Sequence, residues 1–97
     1  MANAAYYGTK PDTILKATAT LDFASIAAGA VGTLTATVTG AATGDFAIAA
    51  PPGNLNAGLV VCAFVSAANT VTIRIINGTA GAIDPGSATW GVAVIPA

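Results

Sequence analysis

The sequence predicts a small all-β protein: a single antiparallel β-sandwich of about six strands, immunoglobulin-like or jelly-roll-like, with an extended N-terminal arm. Short segments alternate between apolar and polar residues, glycine or proline separates these segments, and helical periodicity is nowhere sustained. Alternation with a period of two is typical of strands that bury one face. A chain of 97 residues has room for one modest core and is too short for two domains.

The first two predicted strands show this alternation clearly. Residues 18–23 (TATLDF) place Leu21 and Phe23 on one face. Residues 32–40 (GTLTATVTG) place apolar residues on one face and threonines on the other. The alanine-rich residues 24–32 (ASIAAGAVG) contain two glycines and are predicted to form a loop rather than a helix.

The third predicted strand is short, and the fourth is apolar on both faces. Residues 44–52 (GDFAIAAPP) form a short strand with Phe46 and Ile48 on one face, which the two prolines end. Residues 59–66 (LVVCAFVS) predict a central strand that is buried on both sides. Cys62 within it is expected to be a buried, inert thiol, since the chain has no histidine that could activate it.

The last two predicted strands follow a turn and a long loop. Residues 70–77 (TVTIRIIN) form a hairpin with the fourth strand after the turn AAN, in which Asn69 can adopt a positive φ. Residues 78–87 (GTAGAIDPGS) form a loop before the final strand, residues 88–96 (ATWGVAVIP). The following residues are expected in the core: Leu34, Val38, Val71, Ile73, Ile75, Trp90 and Val92.

The N-terminal residues differ in character from the rest of the chain. Residues 1–14 lack sustained alternation and are predicted to form the arm, with residues 15–97 as the sandwich domain. Tyr6 and Tyr7 stand side by side in this arm, and large aromatic side chains prefer burial or interfaces. They could pack back on their own sandwich, but the sequence favours docking against a neighbouring chain.

Charge is sparse in this sequence. Charged residues make up 7% of the chain, against about 25% in average soluble domains. The net charge is −1 and no basic cluster exists, so a nucleic acid is not an expected partner. No apolar run approaches the roughly 18 residues of a membrane-spanning helix, so a membrane is not an expected partner either. Such a composition suggests that much of the surface is covered in use.

The residue types that carry catalysis are nearly missing. The chain has no histidine and four scattered acidic residues, so neither an enzyme nor a cofactor is expected. Asp22, Asp45 and Asp84 could in principle meet around a cation, but no D-x-D spacing supports a metal site. Asp45 and Asp84 are expected to have structural roles in turns. The tripeptide NGT that begins at Asn77 matches a glycosylation acceptor and is expected to be idle.

Arg74 is the only arginine and stands in the middle of an apolar strand. If Ile73 and Ile75 face the core, Arg74 faces outward. An exposed arginine on a sheet face can serve solubility alone. The alternative that the sequence favours is a specific contact, either with one of the chain's own aspartates or across an interface, because the planar guanidinium pairs with carboxylates and stacks on aromatic rings.

Four segments carry a resemblance to a known family: TATLDFASIAAG, TVTGAATGD, AGLVVCAFVSAANTVTIRIIN and IDPGSATWGVAVI. Together they span roughly residues 18–95 and resemble short β-sandwich proteins encoded in tailed-bacteriophage genomes and prophages. The resemblance implies a virion structural protein without catalysis, most directly a decoration or cement protein that binds the outer head shell and stabilises capsomer junctions.

The implied partners are the major capsid protein and further copies of the chain, in a trimer or dimer. The implied location is the capsid surface of the virion, after synthesis in the host cytoplasm.

Two alternatives remain open on the sequence. The chain could be the base of a head fibre or a tail component, or it could be a host-surface or carbohydrate-binding module. Sugar binding usually requires exposed aromatic platforms. Outside the arm the aromatic residues are Phe23, Phe46, Phe64 and Trp90, and most of them are expected on core faces, which argues against sugar binding.

Overall fold

The computed structural model describes residues 14–97 as two three-stranded antiparallel sheets packed face to face, with no α-helix among these residues. This confirms the predicted six-stranded sandwich. The strands are β1 (Leu15–Phe23), β2 (Val31–Thr37), β3 (Phe46–Ala50), β4 (Leu59–Ala67), β5 (Thr70–Asn77) and β6 (Gly86–Ile95). The predicted arm with Tyr6 and Tyr7 lies outside the described residues, apart from Ile14.

The strand order decides between the two predicted topologies. The first sheet has the order β1-β6-β3 and the second has the order β2-β5-β4. β1 packs over β2, and β3 packs over β4. In immunoglobulin domains the first two strands lie in the same sheet. Here they lie in different sheets, and the first strand pairs with the last, as in a hairpin rolled over on itself. The arrangement is therefore jelly-roll-like.

The core lies between the two sheets and is built from the inward-facing residues of all six strands. Phe23 and Trp90 form its aromatic centre, with ring centroids 5.6 Å apart and planes tilted by 55°. Six of the seven residues predicted in the core are buried. Leu34 is only half-buried, because β2 is an edge strand and its inward side chains lie near the margin of the sandwich.

The prediction that the fourth strand is central and buried on both sides is wrong. β4 is an edge strand, and the central strand of the second sheet is β5. The outward-facing residues of β4 are uncovered among the described residues, so Cys62 is exposed and was wrongly expected to be buried. Apolar residues on both faces of β4 therefore reflect one core face and one apolar surface face.

The β4–β5 hairpin forms as predicted, and its turn is hydrogen-bonded to the β2–β3 connection. Asn69 adopts a φ of 62°. Its side-chain Oδ1 accepts a hydrogen bond from the Gly40 backbone amide at 2.8 Å. Its own backbone amide donates to the carbonyl of Ala41 at 2.8 Å. Asn69 therefore closes one end of the sandwich by holding two turns together.

Asn77 closes the opposite end. It is 0% exposed, and its side-chain Nδ2 donates to the carbonyls of Ile26 at 2.9 Å and Gly81 at 2.8 Å. Its Oδ1 accepts from the backbone amide of Thr79 at 2.9 Å. Ile26 and Ile83 pair in an isolated antiparallel bridge beside it. Asn77 thus joins two loops, and its burial leaves it inaccessible as a glycosylation acceptor in the folded chain.

Candidate functional site

Two of the acidic residues, Asp45 and Asp84, accept hydrogen bonds from backbone amides. Asp45 Oδ2 accepts from the backbone amide of Ala42 and its Oδ1 accepts from that of Ala97, each at 3.0 Å. Asp84 Oδ1 accepts from the Gly86 amide at 3.0 Å, which caps the turn before β6. Within residues 14–97, no three histidine, cysteine or acidic side chains lie close enough to hold a metal ion. The candidate site is built instead from exposed apolar side chains.

Eight large apolar side chains in the described part of the chain are exposed. They are Ile14, Val31, Phe46, Ile48, Val60, Phe64, Ile76 and Ile95. All eight lie on the two outward sheet surfaces, four on each, because strand alternation that buries one set of residues displays the other. Contiguous exposed apolar surface on a small protein marks an interaction site.

The first outer face is the outward surface of β1, β6 and β3, with Ile14 just before β1. Phe46, 63% exposed, pairs with Ile95, and Ile48, 54% exposed, pairs with Ala93. By alternation Ile14 continues the row of Phe46 and Ile95. Beside these side chains, the middle strand β6 carries the small residues Gly91 and Ala93.

A trough of about 570 Å³ crosses β1, β6 and β3 on the first outer face. Gly91 and Ala93 form its floor, Ile48 lines the side of β3, and Lys16 and Thr18 line the side of β1. Because the floor carries almost no side chain, a protruding apolar group of a partner can enter it. The trough is lined mainly by apolar atoms.

The second outer face is the outward surface of β2, β5 and β4. Val31, Ile76 and Val60 are directly paired across the three strands and form one exposed apolar row. Cys62 and Phe64 follow Val60 along β4 on the same face. This face therefore presents a ridge of branched side chains where the first outer face presents a trough.

Arg74 lies on the second outer face, as predicted. Its guanidinium carbon is 4.9 Å from the centroid of the Phe64 ring. Phe64 pairs with Thr72, so Phe64 is a diagonal neighbour of Arg74 on adjacent strands, within reach of a long side chain. The specific contact in the structure is thus a cation–π contact with an aromatic ring of the same sheet. A role of Arg74 in an interface stays a prediction.

The expectation that most aromatic residues outside the arm lie on core faces holds for Phe23 and Trp90 and is wrong for Phe46 and Phe64. Both faces of β3 are apolar. The face that carries the smaller side chains, the alanines, points toward the core. The register explains this: β6 places Val92 and Val94 in the core, and these residues pair with the alanines of β3. Alternation along β3 alone could not have shown which face is inward.

In the described part of the chain no helix has the length and apolarity needed to span a bilayer. Comparison of the sequence with protein-family models and with curated proteins, and of the fold with solved structures, gave no match.

Proposed function

We propose that this chain is a virion structural protein: a decoration or cement protein that binds the outer surface of a bacteriophage head and stabilises the junctions between capsomers. Its partners are the major capsid protein and further copies of itself. It acts without a cofactor and without catalysis, and it is made in the host cytoplasm before it joins the capsid surface. The proposal starts from the sequence resemblance over roughly residues 18–95.

The observation that carries this proposal is the placement of all eight exposed large apolar side chains on the two outer sheet faces. A sandwich that exposes large apolar side chains among threonines on both outer faces gains stability when other protein surfaces cover those apolar side chains. A decoration protein is fixed in place in many copies and requires contact surfaces of this kind. It does not require an active site.

The free strand edges support the same function. β2, β3 and β4 are edge strands whose residues carry no charge. Soluble proteins usually protect such edges with charged residues or proline, because unpaired backbone groups invite pairing with another chain. Uncharged edges fit a protein whose edges meet a neighbour, through added strands or close backbone packing.

A binding experiment with head shells tests the proposal. Shells that lack this protein are incubated with the purified full chain, and bound chain is measured by co-sedimentation and by cryo-electron microscopy. We expect saturable binding at regular positions between capsomers. Density confined to the fibre attachment sites or the tail would overturn the decoration role and support the fibre-base or tail alternative.

The same assay tests the two tyrosines outside the described residues. We propose that Tyr6 and Tyr7 dock against a neighbouring chain or the shell. The double variant Tyr6→Ala with Tyr7→Ala should keep the melting transition of the sandwich and lower shell occupancy, since truncating an interface aromatic commonly costs about 2 kcal/mol or more in binding. A lowered melting transition with normal occupancy would show that the tyrosines belong to their own sandwich.

A carbohydrate-binding module remains the second candidate, because Phe46 and Phe64 are exposed rather than buried. Exposed rings can stack on sugar faces. A glycan array with the full chain, followed by calorimetry with any oligosaccharide found, tests this function. Binding that Phe46→Ala abolishes, together with no binding to shells, would favour this candidate over the decoration role.

A further inference from the structure

We propose that copies of this chain bind one another head to tail, with the first outer face of one copy covering the second outer face of the next. This inference rests on the proposed structural function, in which the chain acts in many copies, and it identifies the occupant of both apolar faces as a second copy of the same chain. Such a contact forms a ring where the rotation between copies closes and a stack where it does not.

Shape favours contact between unlike faces. The trough over Gly91 and Ala93 on the first outer face can receive the ridge of Val31, Ile76 and Val60 on the second. The ridge and the trough each cross three strands, so the two sheets would pack with their strands nearly aligned, which is one of the two common sheet packings.

Charge also selects unlike faces. Among the outward residues of β2, β5 and β4, Arg74 is the only charged one. Two second outer faces in contact would therefore bring two Arg74 side chains together in an apolar interface with no carboxylate from either face, and juxtaposed like charges oppose binding. The first outer face carries Asp22 at its end and Lys16 beside the trough, so it can supply a carboxylate to Arg74.

The available area requires repeated contacts. With strands about 4.8 Å apart and residues about 3.3 Å apart, a face of three strands and eight residues covers about 400 Å². One face-to-face contact therefore buries about 800 Å² in total, which is less than the roughly 1,200 Å² of stable specific complexes. A paired dimer would also leave one apolar face of each copy uncovered. Head-to-tail contact covers both faces of every interior copy.

Two charge insertions, one on each face, test the inference. Ile48→Asp alters the first outer face and Val60→Asp alters the second, at positions that are 54% and 58% exposed, so both variants should fold. Ala80→Asp adds the same charge in an exposed loop outside both faces and serves as the control. Sedimentation velocity of the full chain is compared from about 10 µM to about 1 mM, a range that reports weak association.

We expect the unaltered chain and Ala80→Asp to associate as concentration rises, and each face variant alone to stay monomeric. An equimolar mixture of Ile48→Asp and Val60→Asp should form a 1:1 dimer and nothing larger, because each variant keeps the face that the other has lost. Circular dichroism verifies folding. If either aspartate variant unfolds, Ile48→Thr and Val60→Thr replace them, since both keep a β-branched side chain.

Cys62 provides an independent readout within the mixed dimer, since it is an exposed thiol on the second outer face. Maleimide labelling followed by mass spectrometry distinguishes the two variants by mass. Cys62 should be protected in Ile48→Asp, whose second face is covered, and should react freely in Val60→Asp. Equal labelling of both variants would contradict the head-to-tail contact.

Three further results would overturn the inference: an unaltered chain that stays monomeric at about 1 mM, a face variant that still associates alone, or a mixture that forms no dimer. None of these results bears on the proposed function. A chain that binds head shells at regular positions and stays monomeric in solution would keep the decoration role and lose the self-contact.

Discussion

At the scale of single residues, Gly58 shows how close packing fixes a residue type. A Cβ added to Gly58 would overlap the Cγ2 methyl of Thr79. Thr79 cannot turn this methyl away freely, because its Oγ1 lies 2.7 Å from Asn77 Oδ1 and donates to it. Gly53 also lies in the β3–β4 connection, but a Cβ there would meet open space.

We therefore expect Gly58→Ala to lower the free energy of unfolding by about 1–3 kcal/mol. The control Gly53→Ala should change it by less than about 0.5 kcal/mol. Combining Gly58→Ala with Thr79→Ser, which removes the methyl and keeps the hydroxyl, should restore most of the loss. Urea denaturation measures all three. An unrepaired double variant would show that the clash with Thr79 is not the cause.

Arg74 illustrates what a single residue pattern can and cannot reveal. Its outward direction follows from the alternation of Val71, Ile73 and Ile75, and the structure confirms it. Its contact with Phe64 could not be predicted, because that contact depends on the register between β4 and β5. A cation–π contact at an exposed site contributes only about 0.5–1 kcal/mol. Arg74 can therefore exchange this contact for a partner carboxylate with little loss of stability.

At the scale of elements, the closed end of the sandwich depends on Asn77, where β5 ends. Asn77→Ala removes the donor to the Ile26 and Gly81 carbonyls and the acceptor for the Thr79 amide. Buried groups that lose a partner cost about 1–3 kcal/mol. We expect a loss of this size in the free energy of unfolding.

The exposed Asn54 provides the matched control, and Asn54→Ala should change stability by less than about 0.5 kcal/mol. Hydrogen exchange locates the effect: the amides of Ile26 and Ile83, which bond each other's carbonyls, should exchange faster in Asn77→Ala. Unchanged exchange there, or equal losses in the two variants, would mean that Asn77 does not hold the two loops together.

The elements also show where sequence reasoning succeeds and where it fails. All six strands were predicted, because alternation and turn residues are local signals. The position of β4 at an edge was not predicted. A strand with apolar residues on both faces has the same sequence pattern whether protein covers one of its faces or both. The candidate site consists of such outward apolar residues, for example Phe46 and Val60. Most of the site therefore could not be identified from the sequence alone.

At the scale of the whole molecule, the fold places an apolar layer inside and a mixture of large apolar side chains and threonines on each outer face. The charges on those outer faces are few: Lys16 and Asp22 on the first and Arg74 on the second. Apolar contacts are weakly affected by salt, whereas exposed ion pairs are screened over about 10 Å at 0.1 M salt and about 3 Å at 1 M. Assembly through these faces should therefore depend on buried apolar area.

Under the proposed decoration role, we expect head particles to keep this protein when ionic strength rises from about 0.05 M to about 1 M, because screening removes little of the binding free energy. Moderate urea at constant low salt should release it, since urea solvates apolar surface and peptide groups. The amount of protein that remains with sedimented particles measures both effects. Release by salt alone would show that charged groups dominate the contact, and the apolar outer faces would then not be the surfaces that hold the protein on the particle.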